Sequence, residues 1–151
     1  MIDQYEINSS TLAILPVSSN ISEIIEQDCN YMIEKSSLEV MDDSCRYFGS
    51  SYYGREIGSK ALIGNNYKAP IIVEETRPMI FLPTSSPRFS ECSWISLKHI
   101  HKYERDGEKT VITFQCGKKL ELEISIYSLE NQILRAICLE NSLRNRLSSE
   151  K

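Results

Sequence analysis

The side chains most suited to chemistry in this sequence are concentrated between Asp42 and Lys60. Three glycines there are interleaved with basic, aromatic and hydroxyl residues. They are Gly49, Gly54 and Gly58, with Arg46, Arg55, Lys60, Tyr47, Phe48, Tyr52, Tyr53, Ser50, Ser51 and Ser59. Guanidinium groups, hydroxyls and exposed backbone amides hold phosphate and sugar oxygens. Because glycine disfavours helix and strand interiors, we predict an ordered loop whose backbone approaches a ligand closely.

The same segment has a second interpretation that involves no ligand. A glycine-rich turn whose tyrosines fill a core and whose arginines are solvated would have the same composition, and spacing alone does not separate the two. A thiolate phosphatase site is a poorer match. It needs an arginine six residues after the cysteine, and the residue six after Cys45 is Ser51.

A second group of residues has the types that bind zinc. His99 and His101 alternate on a predicted strand, and Cys92 and Cys116 could complete a ligand set. The four residues lack the spacing of zinc-ligand turns, so two half-exposed histidines are the preferred interpretation. The sequence contains no Walker loop and no hydrolase signature. We therefore predict no enzyme activity, no metal and no cofactor.

Length and composition indicate one globular domain, residues 1–151, with 41% hydrophobic and 25% charged residues. Neither a transmembrane run nor a signal peptide is present, so a cytoplasmic, nucleoid-associated protein is expected. Five scattered cysteines predict reduced, mostly buried thiols. Charge is uneven: the net charge is −8 over residues 1–45, +5 over 46–119 and −1 over 120–151. This distribution permits nucleic-acid binding by one face.

The first two thirds of the chain read as short strands. Predicted strands cover Tyr5–Pro16 (in two pieces, ended by Pro16), Leu38–Met41, Lys68–Val73 and Arg77–Pro83, with a hairpin joining Ile21–Glu26 and Asn30–Glu34. Prolines at both ends place Arg77–Pro83 at a sheet edge. A turn is predicted at Asn65-Asn66 and a loop over Thr84–Glu91.

The last third has a clearer pattern. Strands Trp94–Tyr103, Lys109–Gln115 and Lys119–Ile124 are predicted to form a meander with turns at Asp106-Gly107 and Cys116-Gly117. An amphipathic helix capped by Ser128 then runs to about Leu147. Its apolar stripe, expected to face the core, comprises Leu129, Ile133, Leu134, Ile137, Leu143 and Leu147. The predicted class is α+β: a β-rich domain closed by one C-terminal helix.

Cys45–Tyr52, followed by Gly54-Arg55, resembles the central motif of the ComK family, the competence transcription factors of Bacillus and related Firmicutes. The similarity covers nearly the whole chain. It includes Tyr5–Asn8, Ala13–Pro16, Ile24–Glu26, Pro70–Val73, Phe81–Thr84, Cys92–Ser96, Val111–Phe114, Gly117-Lys118 and the helix start Ser128–Gln132. The order and spacing of these motifs make the resemblance specific.

The resemblance implies a transcriptional activator that binds promoter DNA as an oligomer and switches on genes for DNA uptake. ComK proteins recognise paired A-rich and T-rich boxes, largely through the minor groove, and bend the DNA. Narrow A·T minor grooves favour an inserted arginine, which assigns Arg46 and Arg55 to the groove or its phosphates. Lys60, Ser50 and Ser51 are assigned to phosphates, and glycines such as Gly54 let the segment enter. Tyr52 and Tyr53 are assigned to supporting the loop.

The chain departs from the family pattern at Asp43 and Glu56, where ComK proteins carry basic residues. Longer members also continue into a tail linked to adaptor-guided proteolysis, so control through adaptor and protease partners is in doubt for a chain that ends at Lys151. Two hypotheses follow. The first is a working DNA-binding activator. The second is a shortened ComK-like paralogue that binds DNA weakly and modulates a full-length partner by mixed oligomerisation.

Overall fold

The computed structural model describes residues 1–64, 68–87 and 92–148. Within these ranges the chain forms nine strands, three α-helices and one 3₁₀ turn. In order they are β1 (Thr11–Ser18), β2 (Ile21–Glu26), β3 (Asn30–Ile33), α1 (Ser37–Tyr47), α2 (Tyr52–Ile63), β4 (Ile71–Glu74), β5 (Met79–Pro83), β6 (Trp94–Ser96), the 3₁₀ turn (Leu97–His99), β7 (Ile100–Asp106), β8 (Lys109–Phe114), β9 (Lys119–Leu122) and α3 (Ile126–Ser148). The predicted α+β class is confirmed.

Two antiparallel sheets organise the molecule. The larger has the strand order β3-β2-β1-β6-β5-β4, and the smaller is the meander β7-β8-β9. The larger sheet is buried on both faces. Alternate residues such as Ile14 and Trp94 face α1, whereas Ala13 and Ile95 face the meander and α3. The result is a layered domain with α1 on one side and the meander with α3 on the other.

The predicted hairpins are present. Strands β2 and β3 pair from Ser22–Ile33 to Ile25–Asn30, and the meander pairs as β7-β8-β9. Gly107 and Gly117 have φ values of 65° and 97° in the predicted turns, a conformation that glycine adopts without steric cost. Local turn chemistry therefore determined these connections.

Other strand predictions were wrong. Residues 5–8 are not a strand, and β1 continues through Pro16, whose partner is Ser22 of β2. Strand β5 lies inside the sheet because it pairs with both β4 and β6. Its Pro83 is the last residue of the strand, where a missing N–H costs little. Pairing with a non-local strand, which proline position does not report, decided where β5 lies.

Predicted strand Trp94–Tyr103 is divided between the two sheets. Trp94–Ser96 pairs with β1 and β5, and the 3₁₀ turn then leads the chain into β7 of the meander. His99 therefore lies in a turn, where its Nε2 is 2.7 Å from the Ser9 carbonyl oxygen. The predicted turn at Asn65-Asn66 and part of the predicted loop, residues 88–91, lie outside the described residues.

The largest errors concern Leu38–Met41 and the segment Asp42–Lys60, which form helices α1 and α2. A capping box begins α1: Ser36 Oγ accepts from the Glu39 amide at 3.1 Å, and the Glu39 carboxylate accepts from the Ser36 amide at 2.9 Å. Gly54 and Gly58 lie inside α2 although each costs about 1 kcal/mol relative to alanine. Packing of Leu62, Ile63 and Tyr52 against the two cores offsets that cost.

The C-terminal helix begins three residues earlier than predicted, at Ile126 rather than after a cap at Ser128. Ser125, rather than Ser128, accepts the first-turn hydrogen bond: its Oγ takes the Ser128 amide at 3.1 Å. Only part of the predicted apolar stripe is buried, because Leu134, Ile137 and Leu147 are exposed. The prediction of mostly buried thiols was also wrong: Cys29, Cys116 and Cys138 are exposed, and only Cys45 and Cys92 are buried.

Candidate nucleic-acid interface

The ComK-like segment includes the end of α1, the connection through residues 48–51 and the start of α2. We call this region the α1–α2 corner. Gly49 has φ +89°, a left-handed conformation that side chains rarely adopt. The amide of Gly49 bonds the carbonyl of Arg46, and the amide of Ser50 bonds the carbonyl of Cys45, each at 3.0 Å. These bonds close the end of α1 and turn the chain so that α2 begins beside it.

Asp42 links the two helices at this corner. Its Oδ1 accepts the Tyr52 amide at 2.8 Å, and its Oδ2 accepts Arg46 Nε at 2.8 Å. Partial burial favours the neutral carboxyl, but the bonds from Arg46 and Tyr52 outweigh it and lower the pKa of Asp42 below its ordinary 3.8. The pKa of Asp42 is lower in the folded than in the unfolded protein, so the ionised carboxylate stabilises the fold at any pH above the unfolded-state pKa. This contribution is lost as the pH falls through the folded-state pKa.

Ser51 and Gly54 begin α2. Ser51 is the N-cap, and its Oγ accepts the Gly54 amide at 3.0 Å. A Cβ on Gly54 would lie 3.0 Å from Ser50 Oγ and 3.3 Å from Ser51 Oγ. Glycine at position 54 therefore keeps both hydroxyls close to the helix N-terminus, where the helix dipole favours an anion.

Arg55 and Arg46 have different partners. Its guanidinium pairs with Glu75 in the turn after β4, and its side chain is only 16% exposed. By contrast, the side chain of Arg46 is 65% exposed. The structure thus places the two arginines in different surroundings: Arg46 extends into solvent, whereas Arg55 fastens α2 to the β4-β5 turn.

Three of the six predicted residues line two shallow hollows at the corner. One, of about 340 Å³, contains Arg46, Lys35, Asp43 and Tyr47. The other, of about 450 Å³, contains Ser50 and Arg55 beside Glu74 and Glu75. Lys60 lies further along α2. Five of the six predicted residues therefore lie at the corner, Lys60 lies in the last turn of α2, and the six do not form a single pocket.

Both departures from the family pattern form ion pairs. Asp43 pairs with Lys35 at 2.6 Å, which raises the pKa of Lys35. Glu56 pairs with Lys60 at 3.6 Å, one helical turn away. The extra negative charges therefore partly neutralise neighbouring basic groups. These pairs were not predicted from the sequence, because Asp43, Glu56 and Lys60 were expected in a loop and instead lie on helices.

Large hydrophobic side chains at the corner include one that packs inward and three that are exposed. Tyr52 packs edge-on against buried Trp94, with ring centroids 5.9 Å apart, and burial raises its pKa. It thus supports the corner from inside. Tyr47, Tyr53 and Ile57 are instead exposed on α1 and α2. Tyr47 adjoins Arg46, and the sequence pattern included it in the segment without assigning it a role.

Cys45 lies beneath the corner with no exposed thiol. Burial raises its pKa to about 12, so the thiolate that a nucleophile requires is not populated near neutral pH. Among residues 1–64, 68–87 and 92–148, no group of three or more His, Cys, Asp or Glu side chains is placed to hold a metal ion.

Comparison with known proteins identifies the family. A family model described as ComK protein matches residues 2–148. The chain belongs to the ComK family. The Competence transcription factor of Bacillus subtilis (strain 168) is 37% identical over 150 residues, which cover 97% of this chain and 78% of that relative. No solved structure matches the chain.

ComK membership supports a transcription factor and gives no support to an enzyme. The segment that resembles the family's central motif, Cys45–Tyr52 followed by Gly54-Arg55, includes the end of α1, the turn at Gly49 and the first turn of α2. None of the helices in the described part of the chain combines the length and hydropathy needed to span a bilayer.

Proposed function

We propose that this ComK-family protein is a DNA-binding activator of competence genes. It recognises paired A/T-rich boxes largely through the minor groove and bends the DNA. The match over residues 2–148 carries this proposal, because it includes the whole α1–α2 corner. The exposed guanidinium of Arg46 beside the N-terminus of α2 fits such a role, since both groups attract phosphate.

We assign contacts at the corner according to accessibility. Arg46 and Lys60 bind the minor groove or its phosphates, and Ser50, Ser51 and the backbone at Gly54 bind a neighbouring phosphate. Arg55 contacts DNA only after it releases Glu75, so its primary contribution is to hold α2 in place. The pair of Arg46 is a weaker obstacle, because its side chain is 65% exposed and exposed ion pairs contribute little stability. The half-buried pair of Lys60 with Glu56 is longer, at 3.6 Å.

A gel-shift titration tests the proposal. The probe is a promoter fragment with paired A-rich and T-rich boxes, and the control is a scrambled fragment of equal composition, each at two salt concentrations. We expect tight, salt-sensitive binding to the boxed fragment alone, because released counterions give affinity its salt dependence. Equal binding to both fragments would contradict box recognition.

The alternative function is a modulator that assembles with a full-length ComK protein and binds DNA weakly. One observation favours it: Arg46, Arg55 and Lys60 each have a carboxylate partner in the free protein. If the folded protein does not shift the boxed fragment, the same titration is repeated with a full-length ComK protein added. A change in that partner's binding would support the modulator.

Self-association and nucleoid association in the cytoplasm complete the proposal. Paired boxes call for at least two DNA-binding corners, which a homo-oligomer supplies with matching symmetry. The size of the complex on one box and on two boxes, measured in the gel shift, tests this part independently of affinity.

A further inference from the structure

Helix α3 carries a second stripe of side chains, on its outward side, that remains largely exposed. Its inward stripe is buried and consists of Leu129, Gln132, Ile133, Ala136, Leu139 and Leu143. On the outward side, Tyr127, Leu134 and Ile137 are 66%, 63% and 40% exposed. A helix that is apolar on both sides has more apolar surface than one core requires.

The outward residues are regularly spaced along about 26 Å of helix. They recur at alternating intervals of three and four residues, and all are exposed: Tyr127, Glu130, Leu134, Ile137, Asn141 and Arg144. This is the spacing of the seam between two helices in a coiled coil. Leu134 and Ile137 stand at its centre, with polar residues on both sides. The arrangement fits one partner helix better than a broad apolar surface.

Charge along the seam selects the orientation of a partner helix. In a parallel pair of identical helices, Glu130 would meet Glu130 and Arg144 would meet Arg144, and both contacts are repulsive. In an antiparallel pair centred between Arg135 and Ala136, Leu134 instead meets Ile137 of the second copy. The seam is then self-complementary, as a two-fold interface requires.

The outer positions of the antiparallel pair also match. Tyr127 faces Arg144 of the second copy, an arrangement that favours a cation–π contact. Glu130 faces Asn141 and lies within one helical turn of that Arg144. Within one copy, Arg105 already lies 5.4 Å from the centre of the Tyr127 ring, and the Tyr103 hydroxyl donates to Glu130 at 3.2 Å. The aromatic and acidic groups of the seam are thus held in position before a partner arrives.

We infer that a second copy of this chain docks antiparallel on the outward stripe of α3. The inference rests on the self-association in the proposed function and names its surface. None of the stripe residues belongs to the α1–α2 corner, so a dimer can present two DNA-binding corners at once. A single pair of helices forms a small interface, so we expect a reversible dimer of modest affinity.

Sedimentation velocity over a range of protein concentrations tests the interface with matched variants. Leu134→Glu places two buried carboxylates at the centre of the seam, and we expect at least a tenfold weaker dimer. Leu147→Glu is the control, because Leu147 is 53% exposed on the same helix but outside the stripe. It should leave the dimer unchanged. Circular dichroism and urea unfolding establish that both variants remain folded.

A charge exchange tests orientation. Glu130→Arg alone and Arg144→Glu alone should each weaken the dimer about two- to fivefold. The double variant should return it to within about twofold of the wild type. A monomeric wild type would overturn both this inference and the proposed self-association. A dimer unaffected by Leu134→Glu would overturn the interface alone, and a double variant weaker than both single variants would overturn the antiparallel orientation. None of these sedimentation results tests DNA binding, which the gel shift measures separately.

Discussion

Asp42→Asn separates the structural and DNA-binding contributions of the α1–α2 corner. The asparagine oxygen can still accept the Tyr52 amide, but the charge that holds Arg46 is lost. Asp42→Ala removes both interactions. Loss of the acceptor at the start of α2 should reduce the free energy of unfolding by about 1 kcal/mol. We expect Asp42→Asn to cost less than about half of that, because the Arg46 side chain is exposed.

The same substitution should strengthen DNA binding. In the wild type, the carboxylate of Asp42 partly neutralises the charge of Arg46. In Asp42→Asn, the guanidinium is free to bind a phosphate. One additional released counterion steepens the slope of log K against log salt by about 0.9, which corresponds to roughly eightfold tighter binding at 0.1 M salt. Gel-shift or fluorescence-anisotropy titrations at four salt concentrations measure both quantities.

Two further proteins decide whether Arg46 is responsible. In Asp42→Asn/Arg46→Ala, the gain in affinity and slope should disappear. Asp28→Asn removes the same charge from the exposed β2-β3 turn and should change the slope by much less than 0.9. The reasoning is refuted if Asp42→Asn leaves the slope unchanged, or if its gain persists without Arg46. Urea unfolding of each protein confirms that the binding samples are folded.

Three other predictions concern the fold. Gln132 donates to the carbonyls of Lys68 and Pro83 at 3.0 and 2.8 Å, so Gln132→Leu should lower the free energy of unfolding in urea by about 2–3 kcal/mol. Gly49→Ala should lower it by about 1–2 kcal/mol because φ is +89°. Burial raises the pKa of Cys45 and Cys92 to about 12 and 11, so both thiols should react with Ellman's reagent only after the three exposed cysteines.

Each of these predictions has a control in the same chain. Gln115→Leu, at an exposed glutamine, should cost far less than Gln132→Leu. Gly58→Ala should be neutral or stabilising, because a Cβ there meets open space within a helix. A Gly49→Ala protein as stable as Gly58→Ala would contradict the assigned backbone strain. More than three fast-reacting thiols in folded protein would contradict the burial of Cys45 and Cys92.

Much of the β-structure could be read from local pattern. The β2-β3 hairpin and the β7-β8-β9 meander follow from alternating apolar residues and from glycine turns, which are properties of neighbouring residues. The family could also be recognised from the sequence, because the order and spacing of its motifs are visible without knowledge of the fold. Errors arose where distant pairing decided the outcome, as for β5, which proline placement suggested was an edge strand.

The α1–α2 corner shows why residue type was insufficient for the site. Two glycines argued against a helix over residues 52–63, yet Tyr52, Leu62 and Ile63 gain enough burial against non-local partners to stabilise one. Helical geometry then brings Glu56 beside Lys60, and the β4-β5 turn brings Glu75 to Arg55. The sequence identified the basic residues of the motif. Whether they are free to bind a ligand depends on the carboxylates that pair with them, and only the tertiary structure places those carboxylates beside them.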